Sequence, residues 1–228
     1  MKGFTNNQLK ILAVIAMTVD HMGMILFPQV LWMRAVGRLA FPIFAFMIAQ
    51  GCHHTRNMGK YLGSMAAMAL LCQLVMYFFA GSLYQTVLVT FSMSIGIIWL
   101  LQQAEKTQKP IWILPAMAAT AAAWQICNTL PGYIGGDFSV DYGFVGVLLP
   151  VAVYLASGKR WAQLLMLGFG LSVLAMSPGI WEGQWLALLA IVPLALYNGQ
   201  RGKWKLKWFF YLYFPLHMAC LYGIAWVL

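Results

Sequence analysis

Apolar positions run along this chain in long blocks, not in alternation. The blocks span residues 9–27, 33–52, 60–80, 86–103, 111–129, 142–156, 161–176, 184–197 and 208–227, with short polar stretches between them. A helix needs about 20 residues to cross roughly 30 Å of hydrocarbon, and about 17 is the usual lower limit. A closed barrel would instead need strands of about ten residues that alternate apolar with polar. The unbroken blocks therefore predict helices whose backbone groups are satisfied internally. The expected fold is all-α: a polytopic transmembrane helix bundle of about nine spans, formed by one domain over residues 1–228. Blocks six to eight are short for a full crossing.

Composition agrees with the pattern. Of 228 residues, 62% are hydrophobic and 8% charged, with a mean hydropathy of +0.77, whereas a soluble domain carries about 25% charged residues. The net charge of +9 raises the question of nucleic acid, and its distribution answers it. With the N-terminus inside, the inner segments hold Lys2, Lys10, Arg56, Lys60, Lys106, Lys109, Lys159, Arg160, Arg201, Lys203, Lys205 and Lys207, while the other side holds only Arg34 and Arg38. This alternation continues through nine spans and puts the C-terminus outside. The charge reads as positive-inside topology plus attraction to anionic lipid, so the expected partner is the lipid bilayer and not nucleic acid. Lys2 and Lys10 precede an apolar run with no small-residue cleavage site, so the first segment reads as an uncleaved span.

Two ionisable neighbours, Asp20 and His21, interrupt that first span. Such residues are expensive in hydrocarbon and usually functional. His21 lies eleven residues beyond Lys10 and His217 ten beyond Lys207, which places both roughly 15–16 Å from the inner surface. They therefore share a depth and can share a cavity. Each also reads as a core histidine bonded to a backbone carbonyl. Tyr213 and His217 are four apart and lie on one helix face. Adjacent helical residues point about 100° apart, so Asp20 need not meet His21. It can instead pair with Arg38, which lies below the outer surface one turn from Arg34, and that pair can equally serve to lock two helices. In Gly37-Arg38-Leu39-Ala40-Phe41-Pro42, the proline removes the hydrogen bond to the Arg38 carbonyl.

The polar connections add candidate surfaces. His53-His54-Thr55-Arg56-Asn57-Met58-Gly59-Lys60 combines basic, hydroxyl and amide groups beside a helix start, a setting suited to phosphate. Asn198-Gly199-Gln200-Arg201-Gly202-Lys203 offers the same mixture. Each also reads as an ordinary positive-inside anchor. On the other side, the loop 130–141 is glycine-rich and carries Asp137 and Asp141, which makes it either a substrate rim or a solvated turn. Cys52, Cys72, Cys127 and Cys220 lack metal-ligand spacing and read as buried thiols. No phosphate-binding glycine loop, nucleophile elbow or zinc motif is present in the sequence.

Several of these stretches together resemble the TraX family of conjugal-transfer membrane proteins. They are Leu9-Lys10-Ile11 through Asp20-His21, Gly37-Arg38-Leu39-Ala40-Phe41-Pro42-Ile43-Phe44-Ala45-Phe46, His54-Thr55-Arg56-Asn57, Asp141-Tyr142-Gly143, Tyr197-Asn198-Gly199 with Arg201-Gly202, and Phe210-Tyr211 with Tyr213-Phe214-Pro215-Leu216-His217. The best-known members of that family N-acetylate pilin, and the family is similar in turn to the polytopic membrane acyltransferases. The resemblance implies a membrane acetyltransferase of the bacterial inner (cytoplasmic) membrane. Acetyl-coenzyme A (acetyl-CoA) would be the cytosolic acyl donor, and the acceptor would be a protein N-terminus or a glycan hydroxyl. It further implies His21 as general base, with Asp20, Arg38 and His217 completing the catalytic set. His54, Thr55, Arg56, Asn57, Lys60, Asn198 and Arg201 would hold the donor, and Arg34, Asp141, Tyr142 and Tyr213 the acceptor. No metal is expected. Two rivals stand beside this reading: a proton-coupled transporter using the Asp20, His21 and Arg38 cluster, and a scaffold whose polar residues only join helices.

Overall fold

The computed structural model describes residues 3–178, 180–203 and 206–227. Lys2 and Lys205, two of the inner basic residues counted above, lie outside the described residues, as does the side chain of Lys207. The described residues are helical, and their only β pairings are two isolated bridges, Phe4 with Tyr197 and Gln85 with Val140.

The chain forms two compact units, Met1–Met47 with Gly158–Leu228 and Ile48–Ser157. In the first, α1 (Asn6–Ile25) starts at a reciprocal cap. Thr5 accepts from the Gln8 amide, and the Gln8 side chain accepts from the Thr5 N–H. The preceding residues are strapped to the segment before the last helix through Phe4 N–H to Leu196 O, Asn198 N–H to Phe4 O, and Asn6 N–H to Gln200 O. Helix α1 packs on α2 (Leu31–Gly37) and on the last helix, α11 (Lys207–Val227). The approach to α2 depends on Gly37, where an added Cβ would overlap the Asp20 side chain. Helix α3 (Ala40–His54) follows α2 after two residues.

The second predicted span is therefore broken. Arg38 and Leu39 make tight bonds to Ala35 and Val36 three residues back, and Pro42 falls in the first turn of α3, where its missing N–H would have no helical partner anyway. Later in the first unit come α9 (Arg160–Ala175), a 3₁₀ helix at Glu182–Ala190 and α10 (Ile191–Ala195). The 3₁₀ helix packs on α2 and α9. Its buried residues, Gln184, Ala187 and Ala190, recur every third position, as three residues per turn requires. A small apolar core of Ala16, Met17 and Ala40, with Leu39, Phe44, Tyr213 and Phe214 against it, lies among α1, α3 and α11.

The second unit holds α4 (Met58–Ala80), α5 (Val87–Thr107), α6 (Ile113–Trp124), α7 (Leu130–Ile134) and α8 (Gly143–Leu155), with α5 packed on α4, α6 and α8. Buried Ser94 donates to Val147 O at 2.7 Å, tying α5 to α8. A π-helical turn at Gln125–Thr129 carries α6 into α7, so the predicted outer loop begins only after Ile134.

Among the described residues, five helical stretches are long and apolar enough to cross a membrane: Asn6–Ile25, Leu31–His54, Met58–Ala80, Val87–Thr107 and Pro110–Ile134. The remaining four predicted spans coincide with shorter apolar helices, Gly143–Leu155, Arg160–Ala175, Glu182–Ala195 and Leu212–Val227. Of the four cysteines, Cys52 and Cys72 are buried, Cys127 is half-buried and Cys220 is exposed. Exposure of Cys220 departs from the expectation of uniformly buried thiols, because its face of α11 is left uncovered.

Candidate functional site

Asp20 and His21 leave α1 in different directions and meet different helices. Asp20 turns to α2. Its Oδ1 accepts from Arg38 Nη2 and its Oδ2 pairs with Arg34 Nη1, each at 2.9 Å. Arg34 Nη1 also donates to the Asp20 carbonyl at 3.2 Å, and Arg38 Nε donates to the Arg34 carbonyl at 3.2 Å. The carboxylate is thus gripped by two guanidiniums one helical turn apart. Arg38 and Asp20 side chains are only 11% and 13% exposed, a depth at which either charge alone would be costly.

Arg38 is held from the other side by the 3₁₀ helix. Its Nη1 donates to Gln184 Oε1 at 3.2 Å, and its guanidinium lies 5.9 Å over the ring of Trp181. Gly183 makes room for that ring, since an added Cβ there would overlap it. Because guanidinium can only donate, Gln184 must turn its oxygen to Arg38. The amide nitrogen is then buried with no hydrogen-bond partner.

His21 turns to α11. Its Nδ1 lies 2.7 Å from Nε2 of His217, and His217 Nδ1 donates to the Tyr213 carbonyl at 2.9 Å. The Tyr213 ring is stacked on His217 at 5.1 Å between centroids. Phe214 sets its edge against both imidazoles. Thr18 donates to Val14 O at 2.8 Å, so in its 2.7 Å contact with Tyr213 the phenol is the donor and Thr18 the acceptor. An apolar groove of about 490 Å³ runs along α11 and has Thr18, Tyr213, His217 and Cys220 in its wall.

The structure therefore groups Asp20 with Arg34 and Arg38, and His21 with His217 and Tyr213, all in the first unit. Of these, Arg34 and Tyr213 were expected to hold the acceptor; here Arg34 is bonded to Asp20 and Tyr213 to Thr18. Sequence reasoning missed Thr18, Trp181, Gln184 and Phe214. Gln184 had one signal, its place at the head of a polar-small-small series with a period of three, in a segment taken for an ordinary α-helix.

The other candidates fall elsewhere. The two basic loops belong to different compact units. In the second unit, His54 Nδ1 donates to Gln50 O at 2.8 Å, Thr55 donates to Asn57 O at 3.4 Å, and Asn57 caps α4 by accepting from Lys60 N–H at 2.8 Å. Arg56 and the Lys60 side chain are exposed. His53 stacks on Tyr154 at 4.1 Å between ring centroids. In the first unit, Asn198 donates to Gly3 O and accepts from Gln200 N–H, and exposed Arg201 accepts from Asn7 N–H through its carbonyl. The acidic connection in the second unit is pinned. Asp137 accepts from the Ser82 hydroxyl at 2.5 Å and from Leu83 N–H at 2.8 Å, and the Ser82 bond, followed by the Leu83 amide, holds its carboxyl below the usual range. Asp141 accepts from Thr90 at 2.7 Å through its carbonyl. Tyr142 adopts a left-handed backbone (φ 60°) at the start of α8.

A helical membrane protein with an imidazole pair and a carboxylate held by two arginines is the class these observations define. The family model described as TraX protein matches residues 5–225, and the chain belongs to the TraX family. It is 26% identical over 245 aligned residues to a probable fimbrial assembly protein FimC, serogroup H1, of Dichelobacter nodosus, covering 96% of this chain and 94% of the relative. A shorter stretch of 44 residues is 57% identical to an uncharacterized protein of Rickettsia prowazekii, covering 18% of each chain. No solved structure matches.

Proposed function

We propose that the protein is an acetyltransferase of the bacterial inner membrane, taking acetyl from cytosolic acetyl-CoA to an acceptor amine or hydroxyl. The observation that carries this reading is the 2.7 Å contact between His21 and His217, one residue along α1 from the largely buried Asp20 that pairs with Arg38. An imidazole of that pair serves as general base. It takes the N–H or O–H proton of the acceptor as the heteroatom bonds to the thioester carbonyl carbon. The C–S bond then breaks, and the departing sulfur takes the proton back, leaving the histidine neutral. Arg38, fixed by Asp20 and Gln184, favours the negative charge that develops on the carbonyl oxygen.

The fimbrial name of the Dichelobacter relative supports a pilin-type subunit as acceptor, with its N-terminal amine as the acetylated group. The apolar groove that reaches His217 supports an acceptor approaching within the membrane. On the donor side, exposed Arg201 in the unit that holds the histidines suits the phosphates of coenzyme A. Nine passes, with the N-terminus inside and the C-terminus outside, fit the five long and four short apolar helices and the basic inner connections.

The test is transfer of labelled acetyl from acetyl-CoA to an N-terminal pilin peptide by the purified protein in lipid nanodiscs. Activity is expected, with a loss of about 10²–10⁴-fold in His21→Ala. Full activity in that variant would reject the role of His21, and Arg201→Glu is expected to raise the KM for acetyl-CoA. A second reading, a proton-coupled transporter, draws on the same chain of polar contacts from His21 through His217. It requires flux driven by a pH gradient in vesicles, without a covalent product.

A further inference from the structure

We infer that His217 is not a second base but a positioning residue that locks His21 in one tautomer, leaving Nε2 of His21 as the proton acceptor. The argument begins at a backbone oxygen. The Tyr213 carbonyl can only accept, so His217 Nδ1, 2.9 Å away, carries the hydrogen. In neutral His217 the remaining nitrogen, Nε2, is then an acceptor. That nitrogen lies 2.7 Å from His21 Nδ1, and two lone pairs cannot face each other at such a distance. His21 Nδ1 therefore donates. A neutral His21 protonated at Nδ1 has its lone pair on Nε2.

The ring geometry favours this bond. The two imidazole planes are 19° from parallel with centroids 5.0 Å apart. Together with nitrogens 2.7 Å apart, this places the rings edge to edge in nearly one plane, where an in-plane N–H points along an in-plane lone pair. The surroundings hold that arrangement. Tyr213 is stacked 12° from parallel with His217, the phenol is anchored by Thr18, and the Phe214 edge abuts both rings. His217 is also buried on its helix, which suits a positioning group.

As a base, His21 in this state takes the acceptor's proton at Nε2. The resulting imidazolium keeps its Nδ1–H bonded to His217, and the proton returns from Nε2 to the departing sulfur. The role as a base rests on the acetyltransferase reading; the tautomer does not.

The experiment is ¹⁵N NMR of the histidine-labelled full-length protein in nanodiscs near neutral pH, with His21 assigned from the signals lost in His21→Asn. The expected result is a protonated Nδ1 and an unprotonated Nε2 on His21, with a coupling between His21 Nδ1–H and His217 Nε2. Protonation of His21 at Nε2 overturns the inference, whatever the activity. In the acetyl-transfer assay, His217→Leu is expected to lower kcat at least tenfold with little change in KM. His217→Gln, whose carbonyl oxygen can accept from His21, is expected to recover most of that loss. Equal loss in both variants, with helix content retained, also overturns the inference. The expected tautomer in a protein that transfers no acetyl would instead count against the proposed function alone.

Discussion

Without its carboxylate, Asp20 would leave the largely buried guanidinium of Arg38 and the half-buried one of Arg34 without their shared acceptor. Breaking one partner out of such a pair costs about 3 kcal/mol or more. Asp20→Ala is therefore expected to lower the unfolding free energy in detergent by about that amount, and addition of Arg38→Met is expected to restore part of it. A loss under about 0.5 kcal/mol would mean that the ion pair adds little to stability. The pairing of Asp20 with Arg38 was legible in the chain because two neighbours on a helix cannot face the same way, and because a lone charge in an apolar run needs an opposite one. The bond between His21 and His217 was legible only as a shared depth. Whether two rings at one depth touch depends on how α1 and α11 pack.

At the scale of elements, the contact between α1 and α2 depends on one absent side chain. Gly37→Ala sets a Cβ against Asp20 and is expected to destabilise by about 1–3 kcal/mol, in the range of overpacked cores. Gly63, where an added Cβ meets nothing, serves as the control, and equal melting temperatures for the two alanine variants would contradict the claim. The Asp137 turn makes a pH prediction. Its folded pKa is held below the ordinary 3.8, so its stabilisation is present above that value and lost as pH falls through the folded pKa. Asp137→Asn is expected to flatten the acid limb of a stability profile below about pH 4 and to leave stability at neutral pH less dependent on Ser82. An unchanged acid limb would show that the turn is not coupled to unfolding. Several elements were misread for physical reasons. The 3₁₀ segment has a period close enough to 3.6 to pass for an α-helix over nine residues. The outer connection reads as a loop from residue 130, yet the π-helical turn carries the helix on as far as Ile134.

For the whole molecule, orientation is the prediction that follows from charge. Cysteines placed singly at Arg56 and Arg201 in a protein cleared of native cysteine are expected to react with membrane-impermeant maleimide only after the inner face is exposed. Labelling from the outer face would reverse the proposed topology. The apolar blocks and their basic connections determine, by themselves, that this chain is helical, that it belongs in a membrane and roughly where its helical segments fall. Those properties follow from transfer of side chains and backbone out of water, which each segment undergoes largely on its own. Only the tertiary structure decided that residues 3–7 fasten to the segment before α11, so that the two ends of the chain form one unit. It likewise decided that Gln184 reaches Arg38, and that His217 meets His21 nitrogen to nitrogen. These contacts join positions more than a hundred residues apart, and their geometry is set by which helix faces fit together, a property no single segment contains.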